Sequence, residues 1–176
     1  VDGDDITVVH NGVDYDYFRG GDTNAVKWNQ LTDCPVVLTV SRLADRKGQD
    51  LVIKALAQME ISVDYLIVGP GESTELENMA REHGVSEQVH FLGKVPDDAL
   101  PDYYALADVF VMPTRFIEGD IEGFGLVYLE ANAAGTPVIG APSGGVPSAI
   151  SNEESGLLCD ADVEDVAEAI DRVLSD

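Results

Sequence analysis

Apolar residues come along this chain in short, nearly unbroken runs, each followed by a glycine- or proline-containing turn or a polar loop. The runs are Val36–Val40, Tyr65–Val68, Val89–Leu92, Val109–Met112, Val138–Gly140 and Gly156–Leu158. They are too short for helices and continuous enough to be strands buried on both faces. Between them, apolar positions recur at helical spacing. Residues 49–59 place Leu51, Val52, Ala55 and Leu56 on one face, and a mostly polar helix over 73–83 stops at Gly84. Residues 96–107 read as mostly helical. A helix after Gly125 puts Leu126, Leu129, Ala133 and Ala134 on one face before Gly135 and Pro137 end it. The last helix, 163–174, turns Val166, Ala169, Ile170 and Val173 inward. Strand and helix alternate, and such units build a parallel sheet covered on both faces. The expected fold class is α/β, a doubly wound parallel sheet. Ahead of it, the β-branched run Ile6–Val9, the turn signal His10-Asn11-Gly12-Val13-Asp14 and the polar stretch through Lys27 read as a linker segment rather than core.

Ligands of open parallel sheets sit beyond the carboxyl ends of the strands, so the loops that follow strands are the places to look for chemistry. After the fourth strand, Gly123 and Gly125 lie at a strand-to-helix turn. The first turn of the helix offers unpaired N–H groups and the positive end of a dipole to an anion. Glu122 stands just before that turn and Glu130 two turns along, and spacing alone leaves them as readily solvated carboxylates as functional ones. The loop after the first strand, Ser41–Gly48, holds Arg42, Arg46 and Lys47, three of the chain's ten basic residues. Arg42 and Lys47 pair a planar fork with a compact charge, a combination suited to a diphosphate. Gly69-Pro70-Gly71 lets a ligand approach backbone but is equally an ordinary turn. Gly93 to Pro96 offers a wall for a base, and Gly144-Gly145 lies one strand farther on. Thr74 stands where a dinucleotide fingerprint needs its third glycine, which disfavours a nicotinamide dehydrogenase.

Composition narrows the classes. With 176 residues and 45% hydrophobic content, the chain is expected to form one domain with a sizeable core. Its 33 acidic and 10 basic residues give a net charge of −23, which argues against a broad surface for nucleic acid or anionic membrane. Self-repulsion on that scale is relieved by salt, so a host with a very salty cytoplasm and an ordinarily acidic protein both remain open. Cys34 and Cys159 lie far apart and are expected to be buried thiols in a reduced compartment. His10, His83 and His90 lack metal-ligand spacing. No run of about 18 apolar residues and no basic-then-apolar start is present, so no membrane span or signal peptide is expected, and a soluble, cytoplasmic protein is. A start at Val1 rather than Met suggests a piece of something longer.

Ser-Arg-Leu-x-x-x-Lys-Gly at 41–48, Val-Gly-x-Gly at 68–71, Phe-Leu-Gly at 91–93 and Glu-x7-Glu at 122–130 together resemble the nucleotide-sugar-binding half of GT-B retaining glycosyltransferases. Asn11-Gly12-Val13-Asp14 is similar to the linker where that half begins, so the resemblance covers nearly the whole chain. It implies a linker over 1–30 and a Rossmann-like donor domain over 31–176, with an N-terminal acceptor domain lying outside this chain. By resemblance, the catalytic set is Glu122, Arg42 and Lys47. Arg42 and Lys47 would hold the donor's diphosphate and stabilise charge growing on it, and Glu122 would face the sugar. Glu130 would bond the ribose hydroxyls, and the backbone of Phe124 to Leu126 would meet phosphate or sugar oxygens. Gly71, Gly93, Val95, Gly123 and Gly125 complete the donor-binding set. The resemblance implies a UDP- or GDP-sugar as donor and a glycan, lipid or small molecule as acceptor, and a membrane-bound acceptor would bring the whole enzyme peripherally to the inner face. The resemblance implies neither metal nor other cofactor. It favours departure of the diphosphate and entry of the acceptor on one face, with retention at the anomeric carbon. One departure is Ser148, where the family often has a glutamate, which puts one sugar or loop contact in doubt. A non-catalytic nucleotide-sugar binding module is the alternative reading. A phosphorylase-like relative is disfavoured, since no lysine sits in a loop suggesting a pyridoxal phosphate Schiff base.

Overall fold

The computed structural model of the chain describes residue 9, residues 11–26 and residues 32–175. Six strands form one sheet: β1 (Val36–Val40), β2 (Asp64–Val68), β3 (Val89–Gly93), β4 (Val109–Met112), β5 (Val138–Gly140) and β6 (Gly156–Leu158). Their order is β3-β2-β1-β4-β5-β6, and every neighbouring pair is parallel. The helices are α1 (Tyr15–Phe18), α2 (Gln49–Leu56), α3 (Thr74–Glu82), α4 (Leu100–Leu106), α5 (Leu126–Ala134), α6 (Val146–Ala149) and α7 (Val163–Ser175). This is the doubly wound parallel sheet that the alternating pattern predicts, and every predicted strand is present.

The unbroken apolar runs have a direct cause in the two cores. On one face Val37, Tyr65, Ile67, Val111 and Ile139 pack with α2, α3 and α7. On the other Leu38, Val40, Leu66, Val68, Phe110 and Met112 pack with α4, α5 and α6. Successive strand residues point to opposite faces, so a strand covered twice must be apolar throughout. Thr39 is the polar exception within β1, and it is satisfied: its hydroxyl donates to the Val111 carbonyl at 2.5 Å and lies 2.8 Å from the Tyr65 hydroxyl.

Several local expectations are corrected. The inward face of α5 is carried by Tyr128, Ala131 and Ala133, whereas Leu126 is exposed and Leu129 only half-buried. Tyr128 decides the rotation, because its buried hydroxyl donates to the Met112 carbonyl at 2.6 Å and so ties α5 to the end of β4. The segment 96–107 opens as a 3₁₀ turn, Asp97–Ala99, before α4, where Pro101 sits in the first turn, the position that needs no N–H. α2 stops at Leu56, short of residue 59. α6 is unforeseen, and Pro147 occupies its first turn, where no N–H is needed. The linker contributes more than a tether, since the Phe18 ring meets Tyr104 edge-on at 5.8 Å and packs against the core. Cys34 and Cys159 are free and half-buried rather than buried. Of the run Ile6–Val9 only Val9 is described, exposed and outside any element, while His10, Lys27 and the 30/31 boundary lie outside the described residues.

Candidate active site

The sheet order reverses between β1 and β4. The chain runs outward from β1 to β2 and β3, then returns to β4 on the other side of β1. The loops following these two strands therefore flank a crevice, the usual ligand position in such folds. Here the two loops, residues 41–48 and 113–125, are fastened together. Gly48 adopts φ 77°, and a Cβ there would fall 2.3 Å from the Pro113 carbonyl oxygen. The Arg115 amide donates to the Arg46 carbonyl at 2.9 Å.

Across that seam three charged side chains converge. The 3₁₀ turn Asp45–Lys47 presents Arg46 and Lys47 to Glu122, and both donate to the same oxygen, Oε2, from Nη1 at 2.5 Å and from Nζ at 2.6 Å. Arg46 Nε also donates to Asp120 Oδ1 at 2.8 Å. The side chains of Arg46, Lys47 and Glu122 are only 7%, 11% and 11% exposed, so these are charge-assisted bonds with little water to compete. Burial alone would raise the Glu122 pKa, but Lys47 and Arg46 outweigh it and hold the carboxyl below its ordinary range. Glu122 is thus an anion at neutral pH.

α5 begins immediately beyond. Gly125, at φ 83°, is its N-cap and supplies no side chain to the free amides of the first turn. From the other side the loop after β5 closes in, with the Gly145 amide donating to the Glu122 carbonyl at 3.0 Å. A Cβ at Gly145 would lie 1.9 Å from the Gly123 oxygen, so that glycine is required by backbone-to-backbone packing. The neighbouring Ser143 hydroxyl is buried with no partner among the described residues.

A cavity of about 300 Å³ opens at the carboxyl ends of β1 and β2 and beyond the end of β3. Arg42, Lys94, Val95, Asp97, Val127 and Glu130 are among its walls. Glu130 is half-buried and accepts a bond from the Tyr104 hydroxyl at 2.7 Å. Burial raises its pKa and the Tyr104 bond offsets this only in part, so Glu130 departs upward from the ordinary range while Glu122 departs downward. Arg42 is exposed at the rim and lies 3.9 Å from Asp120, linking the cavity to the Arg46–Lys47–Glu122 cluster.

Of the residues singled out from sequence, Lys47 and Glu122 meet directly, and Arg42, Val95 and Glu130 share the cavity. Gly123, Phe124, Gly125 and Leu126 span the stretch between Glu122 and α5. Gly71 and Gly93 are not among the cavity's walls. The space a Gly71 side chain would fill is taken by Leu43, whose Cβ would be 2.5 Å away, so packing accounts for that glycine. Sequence reasoning did not select Arg46, Asp120, Lys94 or Tyr104. Arg46 had a signal, membership of the basic loop, whereas Tyr104 is one aromatic among the apolar positions of a helix. Among the described residues no group of His, Cys, Asp and Glu is arranged to hold a metal ion.

The family model described as glycosyl transferases group 1 matches residues 22–176. A GDP-mannose-dependent alpha-(1-6)-phosphatidylinositol monomannoside mannosyltransferase of Mycobacterium tuberculosis is 43% identical over 175 residues, covering 94% of this chain and 46% of that protein. Among solved structures, sucrose-phosphate synthase of Thermosynechococcus elongatus is similar at a TM-score of 0.82 and 33% identity, over 94% of this chain and 42% of its own. Anabaena HepE in complex with UDP and glucose gives 0.85 at 27% identity, over 97% of this chain and 47% of its own. The chain spans about half the length of the curated relatives it matches.

Proposed function

The chain belongs to the glycosyl transferases group 1 family and has the Rossmann-like fold of one half of a GT-B enzyme, and from that premise we propose that it is the donor-binding domain of a retaining hexosyltransferase. The observation that carries this reading is the convergence of Arg46 and Lys47 on Glu122 beside the uncapped start of α5, with Arg42 joining that cluster to a cavity walled by Glu130. Cations, a helix N-terminus and an adjoining carboxylate-walled cavity match a diphosphate lying between a sugar and a nucleoside.

In the proposed reaction the nucleoside occupies the cavity, its ribose hydroxyls donating to Glu130 and its base against Lys94 to Asp97. The diphosphate lies between Arg42, Lys47 and the first-turn amides of α5, and the hexose faces Glu122. As the bond from the anomeric carbon to the diphosphate oxygen breaks, negative charge grows among these donors, with Lys47 drawn from Glu122 to the phosphates. The acceptor oxygen bonds to the same face of that carbon, and its proton passes to the departing phosphate oxygen. Arginine, lysine and the helix terminus supply the neutralisation, in place of a divalent metal or other cofactor.

Residues 31–176 form the donor domain in this reading, residues 1–30 lead into it, and a second domain binds the acceptor, a glycan, lipid or small molecule. The mycobacterial relative is named for GDP-mannose and HepE was solved with UDP and glucose, so UDP- and GDP-sugars are both donors to test. No helix among the described residues is long and apolar enough to cross a membrane. We place the enzyme in the cytoplasm, reaching a membrane-bound acceptor peripherally, and read the net charge of −23 as adaptation to a salty interior. Isothermal titration of the chain with UDP and with GDP in molar KCl tests the proposal. Binding of one or both is expected; a folded chain that binds neither refutes it.

A further inference from the structure

Arg46 stands at a position that the Ser-Arg-Leu-x-x-x-Lys-Gly pattern leaves open, yet it is the least exposed cation of the cluster, at 7%. Its fork spans two carboxylates of the same loop, with Nη1 on Glu122 and Nε on Asp120, while its own carbonyl receives the Arg115 amide. Side chain and backbone of Arg46 therefore both grip the loop that carries Glu122. Lys47 differs. Its only partner among the described residues is Glu122, and an ammonium keeps two further N–H groups for another acceptor. A diphosphate arriving between Arg42 and Lys47 brings more negative charge than a carboxylate and draws Lys47 away from Glu122. The carboxylate would then face a new anion with its cation gone, unless a second cation stays with it.

Resting on the donor-site reading above, we infer that Arg46 is a positioning residue that keeps Glu122 fixed when Lys47 is handed over to the diphosphate. Arg46 touches neither nucleotide nor diphosphate. It acts through Glu122, and its second bond to Asp120 stops the loop from following Lys47.

The test uses the full-length enzyme and two readouts, affinity for UDP and GDP by calorimetry and release of nucleotide from UDP-glucose or GDP-mannose. Arg46→Gln should lower kcat by about tenfold or more while nucleotide affinity stays within about threefold of the parent, the split expected when an interaction is used in the transition state. Arg46→Lys should recover part of kcat, because one ammonium can hold Glu122 but cannot also reach Asp120 in fork geometry. The double variant Arg46→Gln/Glu122→Gln should be no slower than Glu122→Gln alone, since a residue acting through another adds nothing once that other is gone. If Arg46→Gln weakens nucleotide binding as much as Lys47→Ala, Arg46 is a phosphate ligand and the inference fails. It also fails if the double variant is slower than Glu122→Gln by the full Arg46 factor. Should Arg46→Gln not fold, Arg46→Lys decides alone: a lowered kcat at unchanged affinity supports the role, and an unchanged kcat overturns it. A parent enzyme that binds no nucleotide, or a Glu122→Gln variant with parental kcat, would instead sink the donor-site reading itself.

Discussion

Replacing either glutamate by glutamine changes one atom, yet the two substitutions should move stability in opposite directions. Glu122 Oε2 accepts charge-assisted bonds from Arg46 at 2.5 Å and Lys47 at 2.6 Å, in a spot about one-tenth exposed. Such bonds contribute about 1.5–3 kcal/mol each, and an amide oxygen keeps roughly half of that as a neutral acceptor. The net loss in Glu122→Gln is about 1.5–3 kcal/mol, which for a domain of this size lowers Tm by about 3–12 °C. Glu130 has one neutral donor, Tyr104, and burial has raised its pKa. Its charge is a cost to the fold, and Glu130→Gln, which still accepts from Tyr104, should raise Tm at neutral pH.

The pH dependence gives the sign independently. Glu122 has a depressed folded pKa, so its stabilisation is present above the unfolded value of about 4.3 and is lost as pH falls through the lower folded value. The destabilisation in Glu122→Gln should therefore fade in acid. Glu130 has a raised folded pKa, so the protonated form is favoured on folding below about 4.3 and that advantage is lost as pH rises through the folded value. The gain in Glu130→Gln should appear over that rise and be absent below it. Thermal melts followed by circular dichroism across an acid-to-neutral series, at constant high salt, measure both. A Glu130→Gln protein that melts below the parent at neutral pH, or two variants shifting in the same direction, would refute the assigned environments.

Two further outcomes follow from the same geometry. Arg42→Ala and Lys47→Ala should weaken binding of UDP or GDP by calorimetry by about tenfold or more and of the matching nucleoside far less, because in the proposed complex each would bond the ligand's phosphates and not its nucleoside; equal losses for both ligands would remove the diphosphate role. With a net charge of −23, raising KCl from about 0.1 M to 1 M, which shortens the screening length from about 10 Å to about 3 Å, should raise Tm steadily; a flat or falling trend would count against the salt-relieved repulsion.

The doubly wound sheet was legible in the sequence because its cause is local. Strands packed on both faces must be apolar at nearly every position, and Val109–Met112, or Val36–Val40 apart from Thr39, show that without any partner in view. Glycine and basic residues in the loops after strands pointed to the carboxyl edge of the sheet, where topology brings the loops after β1 and β4 together. What depends on side chains distant in sequence was not legible. Helical spacing fixed that α5 has an apolar face but not its rotation, which the Tyr128 bond to Met112 sets.

The two glutamates show that limit at the site itself. They are eight positions apart in one segment and identical in chemistry, so nothing along the chain distinguishes their environments. Their partners do. Arg46 comes to Glu122 from 76 positions away, and Tyr104 comes to Glu130 from 26, each on a different element. A carboxylate held by two cations can release one to an incoming diphosphate and remain paired. One held by a single phenol has acceptor capacity left over, and in a cavity wall that capacity is what a pair of ribose hydroxyls requires. On the proposed donor-site reading, division of labour between the two residues is a property of α4 and the Asp45–Lys47 turn as much as of the glutamates themselves, and substitutions at Tyr104 or Arg46 should blur it even with both carboxylates intact.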